Sequence, residues 1–126
     1  MPILLRNLLK SICLSAVLCA CAVQQTATLI SLVPAGDSAA VTLSSPLELQ
    51  LRTGYHRTLK QGSSWTRIGS VPQGDVYKPY RDVFTIEGAH VHEAYLVVDK
   101  GMLVGFYLPA ERGYADLGQR KPIFFQ

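Results

Sequence analysis

Turn-forming residues recur about every ten positions through the second part of this 126-residue chain, and this spacing restricts its fold more than any other feature. From Pro46 onward, short runs of valine, isoleucine, leucine, threonine and aromatic residues are each ended by glycine or proline. No stretch places apolar residues at the i, i+3, i+4 and i+7 positions of an amphipathic helix over three turns. The spacing therefore predicts an all-β chain of short strands bounded by turns.

Two hairpins are predicted from neighbouring runs. The clearer one joins residues 90–98 to residues 102–108, and its arms are apolar on both faces, which is typical of strands that lie between two layers. Residues 55–60 and 65–71 flank a loop with a glycine and predict a second hairpin. Six to eight short antiparallel strands in roughly 80 to 100 residues fit a small barrel or sandwich.

The N-terminus has the layout of an export signal peptide. Arg6 and Lys10 precede an apolar stretch at residues 12–18, and small residues follow it. This stretch is far shorter than the ~20 residues that cross a bilayer, which argues against a permanent transmembrane helix. We expect residues 1–20 to be removed during export.

The end of this segment, Leu18-Cys19-Ala20-Cys21, resembles the lipobox of bacterial lipoproteins, in which an aliphatic residue and two small residues precede the modified cysteine. The resemblance implies that the Cys21 sulfur receives a diacylglycerol, that cleavage occurs just before Cys21 and that the new amino terminus is acylated. Cys19 is the alternative, but it would place Leu18 before the cut, where the family has glycine, alanine or serine. The resemblance also implies sorting to the outer membrane, because Ala22 and not aspartate follows Cys21.

Counts of cysteine and charge exclude several classes of function. Cys13 and Cys19 leave with the signal peptide and Cys21 carries lipid, so none of the three cysteines remains for a disulfide or a thiolate metal site. Twelve lysines and arginines stand against nine acidic residues, and removal of Arg6 and Lys10 leaves a net charge of +1. A nucleic-acid-binding surface would need a larger positive charge, so no nucleic-acid partner is expected.

The mature chain divides into a lipidated tether at residues 21–37 and a β domain at residues 38–126. All eleven aromatic residues lie in the second part, whereas the tether is rich in alanine, serine, threonine and glutamine. About 20 flexible residues would span roughly 25 Å on average. Residues 26–33 and 40–43 nevertheless have β-forming composition, so one or both are alternatively interpreted as strands of the domain.

His90 and His92 are the weak candidates for a metal site. In a regular strand they share one face, as in the His-x-His element of cupins. Such a site needs a third histidine downstream and a further carboxylate, but no histidine follows His92, and Glu93 points to the opposite face. Hydrogen-bonded or solvent-facing histidines are the favoured interpretation, and pH-sensitive pairing is another. We expect no metal and no other cofactor, and a ligand-binding or metal-binding role for this pair is kept as the alternative function.

Residues 74–82 predict a polar, aromatic loop that contacts a partner. Loops on a rigid β scaffold are common binding sites, and tyrosine and arginine are enriched among the interface residues that contribute most of the binding energy. Tyr77, Tyr80 and Arg81 are therefore the candidate partner-binding residues. The competing interpretation is that Val76 and Tyr77 cap the core while the charged residues are solvated.

Catalytic motifs are missing from the sequence. It has no Gly-x-Ser-x-Gly elbow, no glycine-rich phosphate loop and no His-Glu-x-x-His pair. Glu93 and Glu111 are expected to pair with arginines and not to act in acid/base catalysis. The sequence thus predicts a non-enzymatic, lipid-anchored envelope protein that faces the periplasm and contacts a secretion or transport assembly or the cell wall.

Overall fold

The computed structural model describes residues 23–36 and 38–126. The predicted signal peptide and Cys21 lie outside these residues. The described residues contain no helix, and therefore none that is long and apolar enough to span a bilayer. The predicted all-β class is confirmed.

Along the described residues the chain forms twelve strands, more than the six to eight expected, because several pairings extend over only two or three residues. The strands are β1 (Thr28–Leu29), β2 (Val33–Pro34), β3 (Val41–Thr42), β4 (Leu47–Gln50), β5 (His56–Leu59), β6 (Ser64–Val71), β7 (Gly74–Pro79), β8 (Thr85–Glu87), β9 (Val91–Glu93), β10 (Tyr95–Asp99), β11 (Met102–Leu108) and β12 (Gly113–Pro122).

Eight of these strands form one antiparallel sheet in the order β1-β12-β11-β10-β7-β6-β2, with β3 also paired to β6. The hairpins β4–β5 and β8–β9 are separate two-stranded sheets. The register shifts within the β6–β7, β10–β11 and β11–β12 pairs. Such bulges increase the local twist of a sheet, and here the main sheet is curled into a half-barrel.

The predicted hairpin around residues 99–101 is confirmed in its central part, where β10 pairs with β11. Lys100 and Gly101 in its turn have φ angles of 49° and 75°. Positive φ at both central residues gives the turn the twist that two antiparallel strands require. The part of the predicted arm before Tyr95 does not continue this hairpin, because β9 pairs with β8.

The predicted hairpin between residues 55–60 and 65–71 is wrong. β5 pairs with β4 along four residue pairs, whereas β6 pairs with β7 along six. The eight-residue β6 finds a longer partner in β7, which returns after only two residues. The chain turns between β5 and β6 at Gly62, whose φ is 83°, and so leaves one sheet for the other.

The main sheet is apolar on both faces, as the composition of β10 and β11 predicted. Leu96 and Val98 face the larger core, which the two separate hairpins and the C-terminal residues cover. Tyr95 and Val97 alternate with them and face the opposite side. We call this opposite side the tyrosine face; its buried residues are Val71, Val76, Tyr95, Val97, Val104, Tyr107 and Tyr114.

An N-terminal segment covers the tyrosine face. β1 pairs with β12 at one edge of the main sheet and β2 pairs with β6 at the other, although only residues 30–32 separate β1 from β2. The chain must therefore cross the sheet from edge to edge, and Ile30 and Leu32 pack against the tyrosine face. We call residues 23–34 the strap. It lies within the range 21–37 that the sequence assigned to a tether, and its pairing corresponds to the alternative interpretation of residues 26–33 as part of the domain.

Three glycines make room for the strap. A Cβ atom on Gly88 would lie 2.7 Å from the Gln25 nitrogen, and one on Gly113 would lie 2.9 Å from the nearest strap side chain. A Cβ atom on Gly69 would collide with the Val33 carbonyl oxygen. At these three positions the domain beneath the strap has no side chain, so the strap can approach it closely.

Three buried or partly buried tyrosines predict how stability depends on alkaline pH. Burial is the largest cause that raises the pKa of Tyr77, Tyr95 and Tyr114, and neighbouring carboxylates raise it further. In the unfolded chain a tyrosine ionises near pH ~10, so these residues stabilise the fold fully below that pH. As the pH rises above about 10, the unfolded state loses protons that the folded state retains, and the free energy of unfolding should fall.

Denaturant unfolding at increasing pH, recorded beside the phenolate absorbance, measures this effect. The Tyr114 hydroxyl oxygen lies 3.1 Å from the Val104 carbonyl oxygen and 2.9 Å from Asp116 Oδ1, and its single proton is shared between these two acceptors. We therefore expect Tyr114→Phe to be less stable at neutral pH but to lose less stability at alkaline pH. Ionisation of all tyrosines at one common pH in the folded protein would contradict this prediction.

Candidate binding groove

An open groove with a volume of about 710 Å³ lies beside β6 and β7 of the main sheet. One wall is formed by residues 35, 36 and 38–40, which follow the strap, and the other is formed by β6, β7 and the turn after β7. The described residues of the first wall are alanines, a glycine and a serine. These small side chains leave the groove open.

The groove is cationic along its described lining. Arg67, Lys78 and Arg81 line it, and none of its described lining residues is acidic. Arg67 donates a 3.0 Å hydrogen bond to Asp75, but both side chains are substantially exposed, so this ion pair contributes at most about 1 kcal/mol. Asp37 falls between two lining residues in the sequence and lies outside the described residues. The lining favours a ligand that carries negative charge.

Tyr80 and Arg81 form the rim of the groove at the end of β7. The Tyr80 amide donates a 2.9 Å hydrogen bond to the Ser64 carbonyl oxygen, which holds the turn against the start of β6. Arg81 has a φ of 53°, a left-handed conformation that is uncommon for arginine. Its guanidinium lies over the Tyr80 ring, 5.1 Å from the ring centre. The turn thus presents an aromatic ring and a cation together, and both side chains are exposed.

Tyr77 does not reach this groove. Residues 74–79 form strand β7 and not a loop, so Tyr77 lies on the face opposite to that of Val76. The Tyr77 ring stacks on Phe125 at a centroid distance of 4.9 Å and packs against the larger core. Of the three candidate residues, the structure brings Tyr80 and Arg81 together and leaves Tyr77 in the packing of the core.

His90 and His92 have different surroundings. His90 is exposed after β8, whereas the His92 ring is largely buried and its Nδ1 lies 2.6 Å from Glu111 Oε1. This contact ties β9 to the turn between β11 and β12. Among residues 23–36 and 38–126, no group of three or more histidine, cysteine, aspartate or glutamate side chains is arranged to hold a metal ion.

The predicted pairing of Glu93 and Glu111 with arginines is wrong. Glu111 contacts His92 and not an arginine, and the Glu93 carboxylate, after burial, contributes to the raised pKa of Tyr95. Arg57 lies over the Phe84 ring, 5.0 Å from its centre. The His92–Glu111 contact joins the β8–β9 hairpin to the main sheet, and the Arg57–Phe84 contact joins β5 to the chain before β8. These charged residues therefore contribute to packing.

No sequence pattern indicated that residues 35, 36 and 38–40 or Arg67 would border the groove. Arg67 belongs to no recognisable motif, and residues 35, 36 and 38–40 have small side chains without a motif. The position of these small residues depends on the strap, because β2 of the strap pairs with β6 directly before them. Small residues after Pro34 were the only available signal that another surface could approach closely.

No family model, curated protein or solved structure matches this chain. A function is therefore inferred from the groove and from the resemblance of residues 18–21 to a lipobox.

Proposed function

We propose that this chain is a lipid-anchored protein of the bacterial envelope, held in the outer membrane through Cys21, whose β domain binds another envelope component and does not catalyse a reaction. The resemblance of residues 18–21 to a lipobox supports the anchor. The observation that carries the binding role is the exposed Tyr80–Arg81 pair at the rim of a cationic groove.

The chemistry of the groove supports binding in preference to catalysis. Its described lining offers guanidinium, ammonium and hydroxyl groups but neither a carboxylate nor an imidazole that would act as a general base. Tyrosine and arginine together supply apolar contact area and directional hydrogen bonds, which is why they concentrate binding energy at interfaces.

The partner should carry carboxylates where it enters the groove. Complementary charge steers association and disfavours partners of like charge. An acidic segment of a secretion or transport assembly meets this requirement, and so do the peptide carboxylates of the cell wall. Chemical crosslinking in intact cells distinguishes the two, because the crosslinked product contains either a second protein or a wall fragment.

We expect Tyr80→Ala and Arg81→Asn to reduce capture of the crosslinked partner. Asparagine tolerates the left-handed φ of residue 81, so this substitution removes the guanidinium and preserves the turn. Truncation of a residue that dominates an interface costs about 2 kcal/mol or more, which corresponds to roughly thirtyfold in affinity. The measurement is quantitative pull-down from crosslinked cells with the lipid anchor intact.

Matched controls are available on other surfaces. Arg112 also has a positive φ, of 51°, so Arg112→Asn repeats the same change away from the groove. Phe124→Ala removes an aromatic side chain that is 60% exposed and does not line the groove. Equal capture by all four variants, with unchanged thermal unfolding, would refute the groove as the binding site.

A further inference from the structure

The strap leaves little free chain after Cys21. Val23 is only two residues beyond that cysteine, and Gln25, four residues beyond it, is already buried with 8% exposure. Two residues span at most about 7 Å and four span at most about 14 Å. A lipid on Cys21 would therefore be joined almost directly to the packed domain.

The start of the strap identifies which part of the domain is nearest to Cys21. A Cβ atom on Gly88 would lie 2.9 Å from the Val23 carbonyl oxygen and 3.2 Å from Thr53 Cγ2. The Thr53 hydroxyl donates a 2.6 Å hydrogen bond to the Glu87 carbonyl oxygen. The beginning of the strap, at Val23 and Gln25, thus lies against two turns, at residues 51–55 and 87–91. We call these three segments together the tip.

The tip exposes apolar side chains. Val23 is 56% exposed, Tyr55 is 41% exposed and Val91 is 67% exposed. Tyrosine is enriched at membrane interfaces, since its ring is apolar while its hydroxyl remains hydrated. The exposed His90 in the same turn adds a polar group that suits the level of lipid headgroups.

We infer that the domain lies directly on the bilayer surface, with Val23, Tyr55 and Val91 of the tip in the headgroup region. This inference rests on the proposed lipidation of Cys21. The headgroup region on each side of a bilayer is only about 5–8 Å thick, which is comparable to the ~7 Å that separates Cys21 from Val23 at most. A domain suspended roughly 25 Å away on a flexible tether would require a free strap, whereas the strap crosses the sheet and pairs at both edges.

The test uses two valines with the same exposure. Val91 and Val83 are both 67% exposed, but Val83 precedes β8 and lies at the opposite end of the β8–β9 hairpin. A lipidated mature protein has no other free thiol, so Val91→Cys and Val83→Cys each carry one environment-sensitive fluorophore. The processed protein is reconstituted into vesicles of phosphatidylethanolamine and phosphatidylglycerol that contain headgroup spin-labelled lipid.

We expect the label at residue 91 to shift to shorter wavelength and to lose intensity to the spin label, while the label at residue 83 shows neither change. Equal quenching at the two positions, in protein whose Cys21 lipid is verified by mass, would overturn contact through the tip and leave the proposed anchor intact. A mass without lipid on Cys21 would overturn the anchor and this inference together.

Discussion

Gly69→Ala should release the strap from the β6 edge and reduce the free energy of unfolding by about 2–3 kcal/mol, since the added methyl group needs space that backbone atoms occupy. The new Cβ would collide with the Val33 carbonyl oxygen and approach the Leu32 side chain to 3.2 Å. Backbone in a paired strand cannot move aside as the end of a flexible side chain can. Loss of the β2–β6 pairing would also expose apolar area under Leu32.

Amide hydrogen exchange would show where the structure opens. The Ala35 amide donates a 2.9 Å hydrogen bond to the Ile68 carbonyl oxygen, so its protection reports whether the strap is held against β6. We expect this amide to exchange faster in Gly69→Ala. Gly36→Ala is the matched control, because a Cβ atom there meets nothing within 4 Å and the backbone is not left-handed. Wild-type stability and protection in Gly69→Ala would show that the strap does not pack as described.

Cys21→Ser should abolish the proposed lipid attachment and cleavage before residue 21, and with them the proposed residence of the mature protein in the outer membrane. A serine oxygen does not replace the sulfur that carries the diacylglycerol in the lipoprotein family. Each buried acyl CH₂ contributes about 0.8 kcal/mol to membrane binding, so loss of the acyl chains outweighs the effect of any single side chain. Membrane fractionation with analysis of the N-terminal peptide measures both changes.

Cys19→Ser is the control for this substitution. It changes the other cysteine of the lipobox but keeps a small residue there, so we expect normal processing and lipidation. Loss of lipid in Cys19→Ser with retention in Cys21→Ser would identify Cys19 as the anchor. A Cys21→Ser protein that is still processed and held in the membrane would contradict the lipoprotein interpretation.

Local patterns predicted the elements that depend on local interactions. The apolar alternation of β10 and β11 and the Lys100-Gly101 turn identify a buried hairpin, since the periodicity and the turn chemistry agree. Recurrent turns and the lack of helical periodicity also predicted the all-β class. These features need only residues that are close together in the sequence.

Features that depend on distant contacts were not predictable in the same way. β6 had possible partners on either side, and the length of the pairing with β7 decided between them. The sequence predicted that Tyr77 lies in a loop. In the structure it belongs to β7 and its ring stacks on that of Phe125, which is distant in the sequence. The strap has β-forming composition, but nothing in its sequence identifies β12 and β6 as its two edges. An isolated glycine such as Gly69 within a strand is the available signal for close approach of another backbone.

The chemical state of the N-terminus is the most direct test of the proposed anchor. Mass spectrometry of the N-terminal peptide, prepared from protein in its bacterial membrane, reads that state. We predict a peptide that begins at Cys21, with a diacylglycerol on its sulfur and an acyl group on its amine. A peptide that begins at Met1, or one with an unmodified Cys21, would contradict the account.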